Sequence, residues 1–160
     1  MLKPATAIVL MTVLLSACEP QDRRPGMWLS GNVVAPPADW RFVGDHPEIF
    51  VETRPWYGIP FSVTTVIGTR NGKLYVPSIY EEEMSFPGSK YWNSVIAKDP
   101  YVRLKIGEDL YEMKAILVQD AAEFQEGVGA LADKYDSWRG WMEDPDSGPH
   151  FVIIRMDPRT

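Results

Sequence analysis

The sequence predicts an antiparallel β-barrel carrying two or three helices, a mainly β member of the α+β class. Three observations carry that prediction. Apolar residues recur with a period of two through most of residues 48–118. Asn71-Gly72 supplies the left-handed pair that a two-residue hairpin turn requires. Two stretches with helical spacing, residues 90–98 and the run after Asp120, interrupt the strands. At 160 residues, 45% hydrophobic and 12% aromatic, the chain suits one well-filled core and is short for two.

The first segment stands apart from the barrel. Lys3 precedes an apolar run over residues 5–15, too short to span a bilayer and of the length of a signal-peptide core. Leu15-Ser16-Ala17-Cys18 resembles the bacterial lipoprotein signal, in which the cysteine is lipid-modified and becomes the first residue of the mature chain. An ordinary cleaved signal with a chance cysteine is the alternative. The expected division is a signal peptide over 1–17, a polar tether over 18–27 and a barrel domain over 28–160. Acyl chains on Cys18 would anchor the domain to a bacterial membrane, facing the periplasm, without spanning it. With a single cysteine, no disulfide forms within one molecule.

Strands are expected in the following order. Residues 28–34 and 48–53 come first, the latter with Ile49 and Val51 alternating with charged neighbours. Phe61, Val63, Thr65 and Ile67 share one face of a strand that turns at Asn71-Gly72 and resumes at Leu74 and Val76. Val102, Leu104 and Ile106 alternate with Tyr101, Arg103 and Lys105. The turn Gly107-Glu108-Asp109 leads into a return strand over 110–118, with Tyr111, Met113, Ala115 and Leu117 on one face. A last strand covers 151–156, making about six, and barrel closure would remove their edges.

The helix over 90–98 ends before Pro100, which also disfavours helical geometry at Asp99. Asp120 with Glu123 three residues on reads as a capping box. Phe124, Val128, Leu131 and Tyr135 form the stripe that follows, although Gly127 and Gly129 count against a helix there. Residues 136–149 are expected to be a long loop in which Trp138 and Trp141 cover apolar surface.

Several chemistries lack their residues. Two histidines, His46 and His150, and one cysteine committed to lipid leave no transition-metal set. Asp144, Asp146 and Gly148 begin like a calcium loop, but Pro145, Pro149 and the missing closing glutamate spoil it. No nucleophile elbow, P-loop or dinucleotide fingerprint occurs. A net charge of −6 argues against nucleic acid.

Hairpin, connecting helix with an aromatic start, strand and return strand together resemble the flavin-binding split-barrel group, especially its deazaflavin-dependent nitroreductase branch. The residues that carry the likeness are Trp92, Ala97, Pro100, the VRLKIG of residues 102–107 and Tyr111. The segment 48–80, EIFVETRPWYGIPFSVTTVIGTRNGKLYVPSIY, resembles the first two barrel hairpins, so that the likeness covers roughly Trp40 to Glu123. The resemblance implies an FMN-binding-like split barrel and, as cofactor, FMN or a deazaflavin. Arg54 would hold its phosphate, Tyr57 and Tyr80 would line or hydrogen-bond, and Trp92 would stack. The chain departs from the family's pattern where Arg54 is the sole cation of its turn, where Glu81-Glu82-Glu83 follows Tyr80, and where Val95 replaces the pattern asparagine.

Two function classes stand side by side. One is a membrane-tethered oxidoreductase acting through a flavin or deazaflavin on a quinone-like or nitroaromatic compound. The other is a split barrel without a cofactor, serving at the cell envelope as a binding or structural module. Either leaves room for a small-molecule ligand and a homodimer, and no catalytic residue is assigned.

Overall fold

The computed structural model describes residues 26–79 and 92–159. Among these, eight strands form one sheet: β1 Asn32–Val33, β2 Ile49–Thr53, β3 Phe61–Thr65, β4 Gly68–Arg70, β5 Lys73–Ile79, β6 Tyr101–Ile106, β7 Asp109–Leu117 and β8 Phe151–Pro158. Their order is β3-β2-β6-β7-β8-β5-β4, with β1 beside β7 off that path. Every pairing is antiparallel except β1 with β7. The helices are α1 Trp92–Ile96, α2 Ala121–Ala132 and α3 Asp136–Glu143. Cys18 and the segment before it, Tyr80, the Glu81-Glu82-Glu83 run and Lys90 lie outside the described residues.

The sheet curls until its two edges face each other. At the seam, the Thr65 hydroxyl on β3 donates to the Pro77 carbonyl on β5 at 3.0 Å. This is the antiparallel split barrel the sequence predicts. One hairpin differs from expectation. The strand expected from Phe61 to the Asn71-Gly72 turn divides after Thr65: β3 pairs with β2, and only β4 pairs with β5. The turn itself is as predicted, with Asn71 at φ 52° and Gly72 at φ 76°. The division places Gly68 against α2, where a Cβ would stand 2.5 Å from the carbonyl carbon and oxygen of Ala130. A helix backbone this close is admitted only by glycine.

Alternation then sorts the side chains of β5 and β8 into two cores. Leu74 and Val76 with Ile154 and Met156 point into the barrel, where they meet Val51, Leu104 and Met113. Tyr75 and Ile153 point outward and lie under α2 and α3, against Val128, Leu131 and Trp138. Both strands are therefore covered on both faces, which accounts for the unbroken buried run over residues 74–78. Trp40 plugs the barrel and meets Tyr111 edge to face at 5.2 Å between ring centroids.

The Asp120 cap forms as expected, its carboxylate accepting the Glu123 N–H at 2.8 Å. Gly127 suits the helix because a Cβ would meet Ile153 Cγ2 at 2.5 Å, so the glycine lets α2 lie close on β8. The expected loop over 136–149 is instead α3 followed by a 3₁₀ turn at Pro145–Ser147. Trp138 and Trp141, three residues apart, fall on one face of α3 and meet at 5.0 Å. Trp138 also meets Phe151 at 4.8 Å. These contacts supply the stabilisation that the local sequence, with Gly140 and two flanking prolines, does not.

Residues 26–34 form a strap across the outer face of the sheet. Gly26 bridges to Ser62 on β3, and the Leu29 N–H reaches the Glu52 carboxylate on β2 at 2.5 Å. Arg103 on β6 donates to the Leu29 carbonyl at 3.3 Å, and Lys105 donates to the Ser30 carbonyl at 2.6 Å. Asn32 and Val33 then run parallel to Asp109 and Leu110 of β7. Of the strand expected over 28–34, only these two residues pair.

Candidate functional site: a cationic cleft beside the 54–60 turn

β2 ends at Thr53, and the chain crosses to β3 through residues 54–60. The turn is closed by the Gly58 N–H donating to the Pro55 carbonyl at 2.9 Å, with Gly58 at φ 79°. Trp56 and Tyr57 project from its tip, 87% and 47% exposed, their rings edge to face at 5.7 Å. Pro55 is buried and fixes the base of the turn.

The end of α1 faces this turn. The Lys98 and Asp99 N–H groups both donate to the Val95 carbonyl, at 3.0 and 2.8 Å, and Pro100 stops the helix there. Val95 is buried, while Ser94 and Lys98 are exposed. Asp99 turns its carboxylate back to accept the Tyr101 N–H at 3.2 Å.

Between the two elements lies a cleft of about 310 Å³. Arg54, Pro55, Trp56 and Gly58 form one wall and Ser94, Val95, Lys98 and Asp99 the other. A second hollow of about 260 Å³ adjoins it, so that Arg54 and Asp99 stand on the ridge between them. The other cations of that second hollow are engaged. Arg103 pairs with Glu52 at 3.2 Å. Arg159 lies 3.8 Å from Glu112 and 4.4 Å from the Tyr101 ring centroid. Among the described residues, Arg54 and Lys98 form no ion pair. The cleft thus joins two cations without ion pairs and one carboxylate, Asp99, to an exposed indole, which suits an anionic ligand with a flat apolar part bound on the Arg54 and Lys98 side.

Of the residues singled out from the sequence, Arg54 lines this cleft and Tyr57 stands on the same turn without lining it. Trp92 does not join them: it is 2% exposed and belongs to the barrel core. Its ring borders a hollow of about 150 Å³ at the seam, with Thr65, Pro77 and Ser78. There the Thr64 and Ser78 hydroxyls are buried without a hydrogen-bond partner among the described residues. Trp56 and Lys98 were not singled out. Trp56 follows Arg54 within the same turn, a signal available in the sequence. Lys98 reaches the cleft only through the packing of α1 against the turn. No group of three or more histidine, cysteine or acidic residues that would hold a metal ion occurs among the described residues.

No family model and no curated protein matches the sequence. Solved structures do match in fold. A candidate 5-nitroimidazole antibiotic resistance protein of Bacteroides thetaiotaomicron superposes with a TM-score of 0.51 at 13% identity, over 74% of this chain and 76% of that one. HutZ, the haem storage protein of Vibrio cholerae, gives 0.53 at 11% identity, over 74% and 86%. A domain-swapped dimer gives 0.55 at 12% identity, over 97% and 100%. At these identities the likeness is one of fold, and it agrees with the α+β split barrel described above.

Proposed function

We propose that the chain is an envelope lipoprotein whose split barrel binds a flavin- or deazaflavin-type coenzyme and reduces a quinone-like or nitroaromatic compound. The observation that carries the reading is the pairing of Arg54 and Lys98, uncommitted among the described residues, with the exposed Trp56 ring at one cleft. The cleft supplies groups of the kinds such a coenzyme needs, beside one carboxylate, Asp99. Two cations oppose a phosphate, and an indole offers an apolar face to a ring system. Arg54 and Lys98 would hold the phosphate end, and Trp56 would cover the ring. The coenzyme would supply the hydride chemistry. In support, the 5-nitroimidazole resistance protein shares the fold, and nitroimidazoles are nitroaromatic. The domain-swapped dimer of the same fold supports a homodimer as the working assembly.

The membrane part of the reading rests on Leu15-Ser16-Ala17-Cys18. Mass spectrometry of the mature N-terminus should show acyl chains on Cys18, and Cys18→Ser should release the protein from membranes. Unchanged fractionation of that variant would end the anchor reading.

The second reading, a split barrel without a cofactor, is favoured by Trp92, whose ring is packed into the core. One experiment separates the two. Riboflavin phosphate and a deazaflavin coenzyme are titrated into the purified protein while absorbance and thermal unfolding are followed. A saturable shift in the melting temperature supports the coenzyme reading. No absorbance band and no stabilisation with either would leave the non-catalytic module.

A further inference from the structure

Exposed large apolar side chains are concentrated on the described surface: of eight, five are Met27, Trp28, Trp56, Tyr57 and Ile59. The two segments that carry them meet at one end of the barrel. Gly26 and Ser62 exchange backbone hydrogen bonds at 3.2 and 2.7 Å in an antiparallel bridge. A partner antiparallel to β3 leaves Gly26 in the direction of Phe61 and the 54–60 turn. Met27 and Trp28 therefore enter the strap beside the turn that presents Trp56, Tyr57 and Ile59.

We propose that this end of the barrel docks on the lipid surface, with the tip of the 54–60 turn set among the headgroups. The proposal rests on the reading of Cys18 as the lipid anchor. Cys18 precedes Gly26 by eight residues, a fully extended reach of about 28 Å, which is close to the diameter of a small domain. An acylated Cys18 thus keeps the Gly26 end within one domain's width of the bilayer. Tryptophan and tyrosine suit that boundary because an apolar ring carries one polar group that stays hydrated. Net charge decides the character of the contact. At −6 the chain as a whole is repelled by anionic lipid, so docking depends on the apolar tips and persists at high salt. It also opens the cleft toward the phase in which lipid-soluble acceptors dissolve.

The test uses the acylated full chain reconstituted into vesicles of phosphatidylcholine and phosphatidylglycerol, part of the phosphatidylcholine carrying brominated acyl chains. Tryptophan fluorescence should be quenched by the brominated lipid. Trp56→Ser should reduce the quenching, leaving that of Trp28, and Ile59→Ser, which lies outside the cleft, should weaken the remainder. Molar salt should leave the quenching in place. Absence of quenching in the acylated chain, or quenching unaltered in both variants, overturns the proposal. So does a lipid-free dimer that dissociates on Ile59→Ser, since the face then belongs to a second copy of the chain. An unmodified Cys18 in the mass spectrum removes the anchor and this proposal with it. The coenzyme reading is measured apart from all of these, by the titration without vesicles.

Discussion

The Leu29 N–H donates to Glu52 Oε2 at 2.5 Å, while Glu52 Oε1 accepts from Arg103 at 3.2 Å. One carboxylate, 4% exposed, thus holds the strap and neutralises a barrel cation at the same time. Glu52→Ala should destabilise the fold by about 3 kcal/mol, because Arg103 loses its buried carboxylate partner and the Leu29 N–H loses its acceptor. Chemical denaturation measures the loss. Hydrogen exchange at Leu29 and along β1 should accelerate before that of β6 and β7. Uniform acceleration across the sheet would show that the strap is not an independent unit.

Arg54 can be separated from its neighbours by choice of ligand. Arg54→Ala should raise the dissociation constant for riboflavin phosphate by about 10- to 150-fold, about 1.5–3 kcal/mol, the size of a charge-assisted hydrogen bond. Riboflavin, which lacks the phosphate, should be nearly indifferent to the change. Equal losses for both would mean that Arg54 shapes the cleft and does not grip an anion.

Gly68 is a packing requirement. Its missing Cβ leaves room for the Ala130 carbonyl, and an alanine there would come within 2.5 Å of backbone that has no rotamer to yield. Gly68→Ala should cost about 2 kcal/mol or more in thermal or chemical unfolding. The glycine of the exposed turn gives the contrast: Gly72 has open space around it, and its cost comes from φ 76° alone. A negligible effect of Gly68→Ala would mean that α2 can lift from β4.

Glu126 sets part of the acid limb of stability. Hydrogen bonds from the side chains of Asn71 and Lys73 hold its carboxyl below the ordinary glutamate value. A carboxylate with a depressed folded pKa contributes stability that is fully present above its unfolded value and is lost as pH falls through the folded one. Melting temperatures measured from neutral pH to pH 3 should therefore fall less steeply on the acid side in Glu126→Gln than in the parent. A parallel pair of curves would show that the contact is not maintained in solution.

Alternation made most strands legible, because one face of each strand is barrel interior and period two follows directly from that. The Asp120 cap and the Asn71-Gly72 turn were legible for the same reason: their chemistry is local. The division of β3 from β4 was not, since Val66 and Ile67 continue the apolar run. What separates the strands is the pairing of β3 with β2 and the landing of α2 on Gly68, both contacts distant in sequence. α3 was hidden by Gly140 and by flanking prolines, and its stability comes from Trp138 meeting Phe151. At the site, Arg54 was legible as the lone cation of its turn. An aromatic at the head of a helix reads alike whether it stacks on a ligand or fills a core, and burial places Trp92 in the core.

β8 lies between β7 and β5, pairing Leu117 with Ile154 on one side and Leu74 with Met156 on the other. Until residues 151–158 dock, β5 and β7 each keep an open edge and the barrel exists as two unjoined halves. The closing contacts bridge some eighty residues of chain, as Leu74 and Met156 do, and long loops of this kind slow the search for the native pairing. A chain emerging N-terminus first can build the β2–β3 and β6–β7 hairpins early, but it reaches the folded barrel only after β8 has appeared. During that wait two open strand edges are available to the wrong partner. The interval before β8 docks is therefore when the protein is most exposed to aggregation, and when a chaperone holding the unfinished edges would matter most.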